Sequence, residues 1–265
     1  MEQSLYDLFG KSSETLKLDF GPEELAQMAA EKNYTEDQIE AIVELFQQLE
    51  ARKHEKVVNT LLKLSRLPVK APKTFENYDF TRLHGKDGDA VRALSNLSEL
   101  YAGKNVALIG PAGVGKTHLA QAYGRKCCME GMKAYFLKAS ELDDLFIQAG
   151  NDKTKKARVI NRLLKPTCLI IDEIGRRHFD RESTAMFFDL IDRRYEKEGP
   201  KCMIFTSNRQ PDEWSEYFDG GDSLNAALDR IFDVAKIVTV KGTSYRGQRR
   251  EILAVEADDD IHQVN

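Results

Sequence analysis

No apolar run in the sequence approaches the roughly 18 to 20 residues that a membrane-spanning helix requires. Its start, Met1 to Gly10, carries neither a basic leader nor a secretory apolar core. A membrane role is therefore not expected, and the cytoplasm is the expected compartment. Cysteine is scarce: Cys127, Cys128, Cys168 and Cys202 form no Cys-x-x-Cys pair, and the last two sit in apolar runs. Small buried hydrophobes fit them better than metal ligands or a disulfide framework. There is no internal repeat and no low-complexity tract. A formal net charge of −4 gives no excess of either sign large enough for indiscriminate binding to nucleic acid. With 42% hydrophobic and 31% charged residues over 265 positions, the chain can bury a core of one large domain, or of one large and one small.

What charge there is, is unevenly placed. Acids dominate from Glu36 to Glu50, and bases from Arg52 to Lys73. A second basic group comprises Lys153, Lys155, Lys156, Arg158 and Arg162, and Asp258, Asp259 and Asp260 make the last residues acidic. Thr35 followed by Gln38 is a capping-box start, after which Ile39, Ile42, Val43, Phe46 and Leu49 recur on one helical face. The apolar pattern continues through Leu64 until Pro68 and Pro72 stop it, and a shorter helix opens at Pro22. Beyond the prolines, short apolar runs at Val106 to Ile109, Ala134 to Leu137, Cys168 to Ile171, Met203 to Thr206 and Ile237 to Val240 read as strands buried on both faces. Between them Thr117 to Met129, Ser140 to Gln148, Lys155 to Leu164 and Glu182 to Glu196 read as helices. That alternation predicts an α/β fold with a doubly wound, mostly parallel, five-stranded sheet whose ligand binds at the carboxyl ends of the strands.

Gly110-Pro111-Ala112-Gly113-Val114-Gly115-Lys116-Thr117 matches the phosphate-loop pattern, directly after a predicted strand and directly before a predicted helix. The glycines let main-chain N–H groups close around phosphate oxygens. Lys116 has the reach for the β- and γ-phosphates, the Thr117 hydroxyl is a ligand for Mg²⁺, and His118 follows at the helix start. A chance Gly-rich turn is the alternative, and the strand–loop–helix context argues against it. A second element, Cys168-Leu169-Ile170-Ile171-Asp172-Glu173, ends an apolar strand in two acids. Asp172 suits the Mg²⁺ shell and Glu173 the activation of water, although two carboxylates closing a strand is a bland alternative. Phe205-Thr206-Ser207-Asn208 ends the next strand in an amide that would orient water or sense the γ-phosphate, or simply form a turn. ATP and Mg²⁺ are the expected cofactors.

The order of these elements, with Asp172-Glu173-Ile174-Gly175, Leu228-Asp229-Arg230 and Gly242-Thr243-Ser244-Tyr245-Arg246, resembles the AAA+ ATPases of the IstB/DnaC group from about Arg52 to Arg250. Leu62 to Pro68, Lys73 to Phe80 and Glu213-Trp214 lean toward IstB, the ATP-binding helper of insertion-sequence transposition. The resemblance implies a P-loop AAA+ domain at 81–250 with little or no C-terminal lid. Before it come a helical assembly or partner domain at 1–67 and a linker at 68–80; after it comes an acidic flexible tail at 251–265. It also implies homo-oligomers with ATP sites between subunits, Arg230 as an arginine finger supplied to the neighbour, and Arg246 as a second nucleotide-sensing base. DNA and a cognate transposase are the implied partners; the clustered Lys153, Lys155, Lys156, Arg158 and Arg162 read as candidate DNA contacts or, equally, as a solvated helix face. A replicative helicase takes the transposase's place if the chain is a DnaC/DnaI-like loader, and a non-hydrolysing nucleotide-switched scaffold is a further alternative. Arg176-Arg177-His178 departs from the family pattern and reads equally as DNA contacts or as a solvated turn.

Overall fold

The computed structural model describes residues 4–82, 86–233 and 235–241, without the side chains of residues 82, 86, 87 and 221–224. Arg246 and the acidic tail lie outside the described residues. Helix α3 (Glu36–Leu64) starts at the expected capping box: the Thr35 hydroxyl accepts from the Gln38 N–H, and the Gln38 side chain accepts from the Thr35 N–H at 2.9 Å. Ahead of it lie α2 (Pro22–Lys32) and α1 (Leu5–Leu16). No sequence pattern singled out α1, yet Ser4 and Asp7 form a capping box of their own, and Phe9 is completely buried against Phe20 and Phe46. Phe9, Leu25, Ala29, Ile39 and Val43 give these three helices a small core of their own.

The end of α3 is joined to the rest of the chain by hydrogen bonds as well as by packing. Ser65 is fully buried. Its hydroxyl donates to the Leu62 carbonyl and accepts from the Leu67 N–H, and its carbonyl accepts from the Phe136 N–H at 2.8 Å. Phe136 lies on an edge strand, so the turn after α3 satisfies a backbone donor that would otherwise face solvent. Pro68 to Lys73 are exposed, after which Phe75 and Tyr78 return to the core.

After the short helices α4 (Lys86–Ala93) and α5 (Ser98–Tyr101), strands and helices alternate: β1 (Asn105–Ile109), α6 (Lys116–Met129), β2 (Ala134–Lys138), α7 (Ala139–Ala149), α8 (Lys153–Leu164), β3 (Cys168–Ile174), α9 (Arg181–Glu196), β4 (Cys202–Ser207), α10 (Gly221–Asp233) and β5 (Ala235–Thr239). The sheet has the order β2-β3-β4-β1-β5, and every pairing is parallel. Side chains alternate between two covered faces, which is why the strands read as continuous apolar runs. Val106, Leu108, Ile170 and Ile204 meet α6, while Ala107, Ile109, Ile171 and Phe205 meet the layer built from α7 to α10. The four cysteines are buried free thiols. Among the described residues no helix is long and apolar enough to cross a membrane.

Beneath the sheet, Arg194 of α9 is 2% exposed and donates to the carbonyls of Leu163, Pro166, Thr167 and Cys202 at 3.0–3.2 Å. Burial brings its pKa down to about 10, so it remains a cation at neutral pH. Three of its acceptors, Leu163, Pro166 and Thr167, belong to the end of α8 and the turn after it, where the helix dipole favours positive charge. At the opposite end of the sheet, α6 leaves β1 toward one face and α10 follows β4 on the other. This opens a crevice at the carboxyl ends of two adjacent strands.

Candidate nucleotide-binding site

The loop between β1 and α6 stands in that crevice. Gly110 has φ +149° and lies so near β5 that a Cβ would sit 2.2 Å from the Val240 carbonyl oxygen, leaving no room for any side chain. Gly115, the N-cap of α6, has φ +96°, and a Cβ there would meet the Tyr78 ring at 2.9 Å. The loop is thus pressed between β5 and Tyr78, whose hydroxyl donates to the Val114 carbonyl at 3.4 Å. His118 stands edge-on to Tyr78 with ring centroids 5.1 Å apart, and its Nε2 is 2.9 Å from the Thr74 carbonyl. That acceptor fixes Nε2–H as the neutral tautomer. Burial lowers the His118 pKa, so the ring is uncharged at neutral pH.

Lys116 is 7% exposed and folds back over its own loop. Its ammonium donates to the carbonyls of Gly110 and Pro111 and to Asn208 Oδ1, each at 2.7 Å. Three N–H···O bonds of this length bring the lysine and Asn208, separated by 92 residues, to one point. Around them opens a cleft of roughly 1630 Å³, lined by the loop, by Glu173 to Arg176, by Thr206 to Arg209 and by Lys70, Lys73 and Asn77. Its size and its cradle of amides beside a lysine suit a nucleoside triphosphate.

Glu173 lines this cleft and Asp172 lies just behind it, bonded to Thr117 and Thr206 of its wall, by way of a break in the sheet. Pairing of β3 with β4 runs in step to Ile171 opposite Phe205, then resumes with Ile174 opposite Ser207. Asp172 and Glu173 together therefore face Thr206, which is a β-bulge. In an unbroken strand neighbouring side chains point to opposite faces, so the bulge is what lets both carboxylates serve one site. Glu173 takes the left-handed conformation at φ +63°, a state that costs a non-glycine residue about 1–2 kcal/mol. Thr206 offsets part of that cost. Its hydroxyl accepts from the Glu173 N–H at 2.9 Å and donates to Asp172 Oδ1 at 2.6 Å.

Asp172 is 1% exposed, and its other hydrogen-bond donor is the Thr117 hydroxyl at 2.8 Å. Burial raises its pKa, opposed by the two hydroxyls and then joined by the neighbouring Glu173 charge. A buried carboxylate beside a hydroxyl, both hard oxygen donors, is a fitting place for Mg²⁺. Glu173 is held differently: Oε1 lies 2.8 Å from Arg176 and Oε2 3.6 Å from Lys138, the residue ending β2. Both cations are largely exposed, and each pair contributes about 1 kcal/mol at most.

The sequence-predicted loop residues, Asp172, Glu173 and Asn208 thus converge. Arg230 does not line its own chain's cleft; it lies on α10, 3.1 Å from Asp192. Lys153, Lys155, Lys156, Arg158 and Arg162 all lie on α8, and Arg162 is drawn onto the Tyr135 ring with its centroid 5.1 Å away. Arg176, Arg177 and His178 each face an acid: Glu173, the Asp143–Asp144 pair and Asp219, respectively. Sequence reasoning missed Tyr78, Lys138 and Thr206. Tyr78 falls within the quoted motif Lys73 to Phe80, and Thr206 stands two residues before Asn208.

A raised carboxyl pKa means that the native fold retains a proton the unfolded chain has lost. Stability without nucleotide therefore falls as pH rises from the ordinary carboxylate range through the raised value. Asp172→Asn, which keeps an acceptor for both hydroxyls, is expected to melt at or above the parental temperature without nucleotide. It should lose the Mg²⁺-dependent part of any stabilisation by ATP. Thermal melts with and without Mg²⁺–ATP test this, and a lower melting temperature without ligand would show that the charge is already satisfied by the protein.

Comparison with known proteins agrees with this geometry. The family model of IstB-like ATP binding proteins matches residues 14–252. A protein of insertion sequence IS5376 from Geobacillus stearothermophilus, provisionally named for ATP binding, is 38% identical over 220 residues, 81% of this chain and 84% of its own. Its counterpart from insertion sequence IS21 of Pseudomonas aeruginosa is 36% identical over 231 residues, 86% and 83%. Among solved structures the DnaI crystal structure matches with TM-score 0.52 and 18% identity over 65% of this chain and 90% of that one. DnaA from Aquifex aeolicus bound to AMPPCP matches with TM-score 0.51 and 23% identity over 67% and 52%. These likenesses are of fold alone, that of the P-loop AAA+ proteins. From the phosphate loop, the paired acids and a match over most of its length, the chain belongs to the family of IstB-like ATP binding proteins of IS21-type insertion sequences.

Proposed function

We propose that this chain hydrolyses Mg²⁺–ATP at a site completed by a second copy of itself, and that it assembles on DNA to recruit or stimulate the transposase of its insertion sequence. The observation that carries the ATPase reading is the bulge opposite Thr206, which supports two roles for two adjacent carboxylates. Asp172, paired with the Thr117 hydroxyl, would hold Mg²⁺. When bound, the ion would neutralise charge on the phosphate oxygens. Glu173, half-open to the cleft, would take the proton of the attacking water. Lys116 would exchange its contacts with Gly110 and Pro111 for phosphate oxygens while keeping Asn208 beside the γ-phosphate.

Arg230 does not line its own chain's cleft but pairs with Asp192, and that supports a role as a finger supplied to the neighbouring subunit. The insertion-sequence relatives, similar over most of their length, support a transposase as the partner. The likeness to DnaI is one of fold and does not favour a helicase partner. For DNA, the exposed bases of α8 are the proposed phosphate contacts. Lys153, Lys155 and Arg158 stand on one exposed stretch, with Asp152 as the N-cap.

Glu173→Gln is expected to retain ATP and to lose turnover by about 10²-fold or more. Phosphate release at the parental rate would dismiss Glu173 as the base. Arg230→Ala should bind ATP as an isolated subunit yet turn over about 10³-fold more slowly in the assembly, with partial rescue on mixing with Lys116→Ala subunits. Replacing Lys153, Lys155 and Lys156 together with Ala should weaken DNA binding and flatten the logarithmic salt slope by roughly 3 units, as read by anisotropy across a salt series. Unchanged affinity would remove α8 from the DNA-binding surface.

A further inference from the structure

We infer that Arg177 is a positioning residue for Glu173: clamped on α7 by Asp143 and Asp144, it fixes the loop that directly follows the carboxylate at the end of β3 and so sets the rate of hydrolysis. The inference rests on the ATPase reading above and extends it to a residue outside the nucleotide cleft.

The end of β3 and the loop leaving it hold two left-handed residues within three positions, Glu173 at φ +63° and Gly175 at φ +81°. Backbone in that region persists only where its surroundings over-determine it. On the sheet side the fixing groups are the Thr206 hydroxyl on the Glu173 N–H and the Ser207 hydroxyl on the Ile174 carbonyl at 2.7 Å. Past Gly175 the loop leaves the sheet. Arg176 is 73% exposed and turns back to Glu173 three residues earlier, so it ties the loop only to itself.

Arg177 is the next residue, and it reaches another element. Its Nε lies 2.8 Å from Asp143 Oδ2, and its NH1 lies 2.9 Å from Asp144 Oδ1. The two acids are not equivalent. Asp144 is half-exposed, whereas Asp143 is 2% exposed and its Oδ1 has no hydrogen-bond partner. Withdrawing the guanidinium would leave a buried carboxylate without its counter-ion, so the inner half of this clamp is costly to open, unlike a surface pair. Helix α7 follows directly from Lys138, whose ammonium faces the second oxygen of Glu173. The continuous β2–α7 segment thus meets this stretch at two points: Lys138 at Glu173 through an exposed, longer contact, and α7 at Arg177 through a short, partly buried one. The stronger contact determines where α7 and the loop stand relative to each other, and with that the distance at which Glu173 faces the cleft.

The test uses the full chain with Arg177→Met, Arg177→Lys, Glu173→Gln and the double variant Glu173→Gln/Arg177→Met. Steady-state phosphate release, affinity for a fluorescent ATP analogue and melting temperature are measured together. Arg177→Met is expected to lower kcat by about tenfold with affinity and KM within about twofold, the pattern of a group acting on the chemical step. Arg177→Lys, able to pair with one acid at a time, should recover most of that loss. In the Glu173→Gln background Arg177→Met should cost nothing further, because a residue acting through Glu173 has nothing left to act on. Parental kcat in Arg177→Met, or an equal loss with and without Glu173, overturns the inference. So does a loss of kcat that only follows a fall in affinity and melting temperature. Should Arg177→Met fail to fold, Asp144→Asn removes only the exposed half of the clamp. About a threefold loss of kcat at unchanged affinity is then expected, and parental kcat overturns the inference. A parental chain that releases no phosphate removes the ATPase reading itself; a parental chain that turns over beside an unaffected Arg177→Met removes only the role of Arg177.

Discussion

Two carboxylates on adjacent residues at the end of a buried strand repel each other and lose hydration, and the upper end of this sheet is arranged around that problem. A regular strand would turn one of them into the opposite layer. The bulge opposite Thr206 keeps both on the cleft side, and it separates their environments. Asp172 is enclosed among hydroxyls, where a metal cation is the natural counter-charge. Glu173 meets exposed side-chain cations at the cleft edge and stays in contact with water. One geometric irregularity thus gives two acids of the same chemistry two different tasks.

The phosphate loop depends on its neighbours as much as on its own glycines. Val240 closes one side of Gly110 and Tyr78 one side of Gly115, so residues on either flank of the loop in sequence hold it from both sides in space. Tyr78 belongs to the segment that returns to the core after α3, and Ser65 at the end of α3 is hydrogen-bonded to the edge strand β2. The N-terminal helices are therefore connected to the nucleotide cleft by buried contacts as well as by the peptide chain.

Much of this was legible in the sequence, for reasons that are local. The phosphate loop is contiguous, the capping box at Thr35 spans four residues, and strands covered on both faces are apolar throughout, so each announces itself within a short window. Strand positions agree with the structure to within one to three residues. What could not be read involves partners distant along the chain. The bulge at Asp172 and Glu173 is decided by Thr206, 33 and 34 residues on; the Tyr78 contact spans 36 residues; Arg194 is defined by carbonyls, which leave no mark in composition. Arg176 and Arg177 looked like solvated or DNA-facing charge because their acids, apart from Glu173, stand on α7, more than 30 residues earlier. Helix α1 was missed although its signals are local: Ser4 and Asp7 cap it, and Leu5, Leu8 and Phe9 stand at helical spacing.

The account depends on the affinity of this cleft for a triphosphate with Mg²⁺. Isothermal titration of the full chain with ATP, in Mg²⁺ and then in excess chelator, measures it directly. The structure predicts saturable binding of one ATP per chain, weakened when the metal is withdrawn. Absence of any binding heat at millimolar ATP with Mg²⁺ present, from protein shown to be folded, would contradict it.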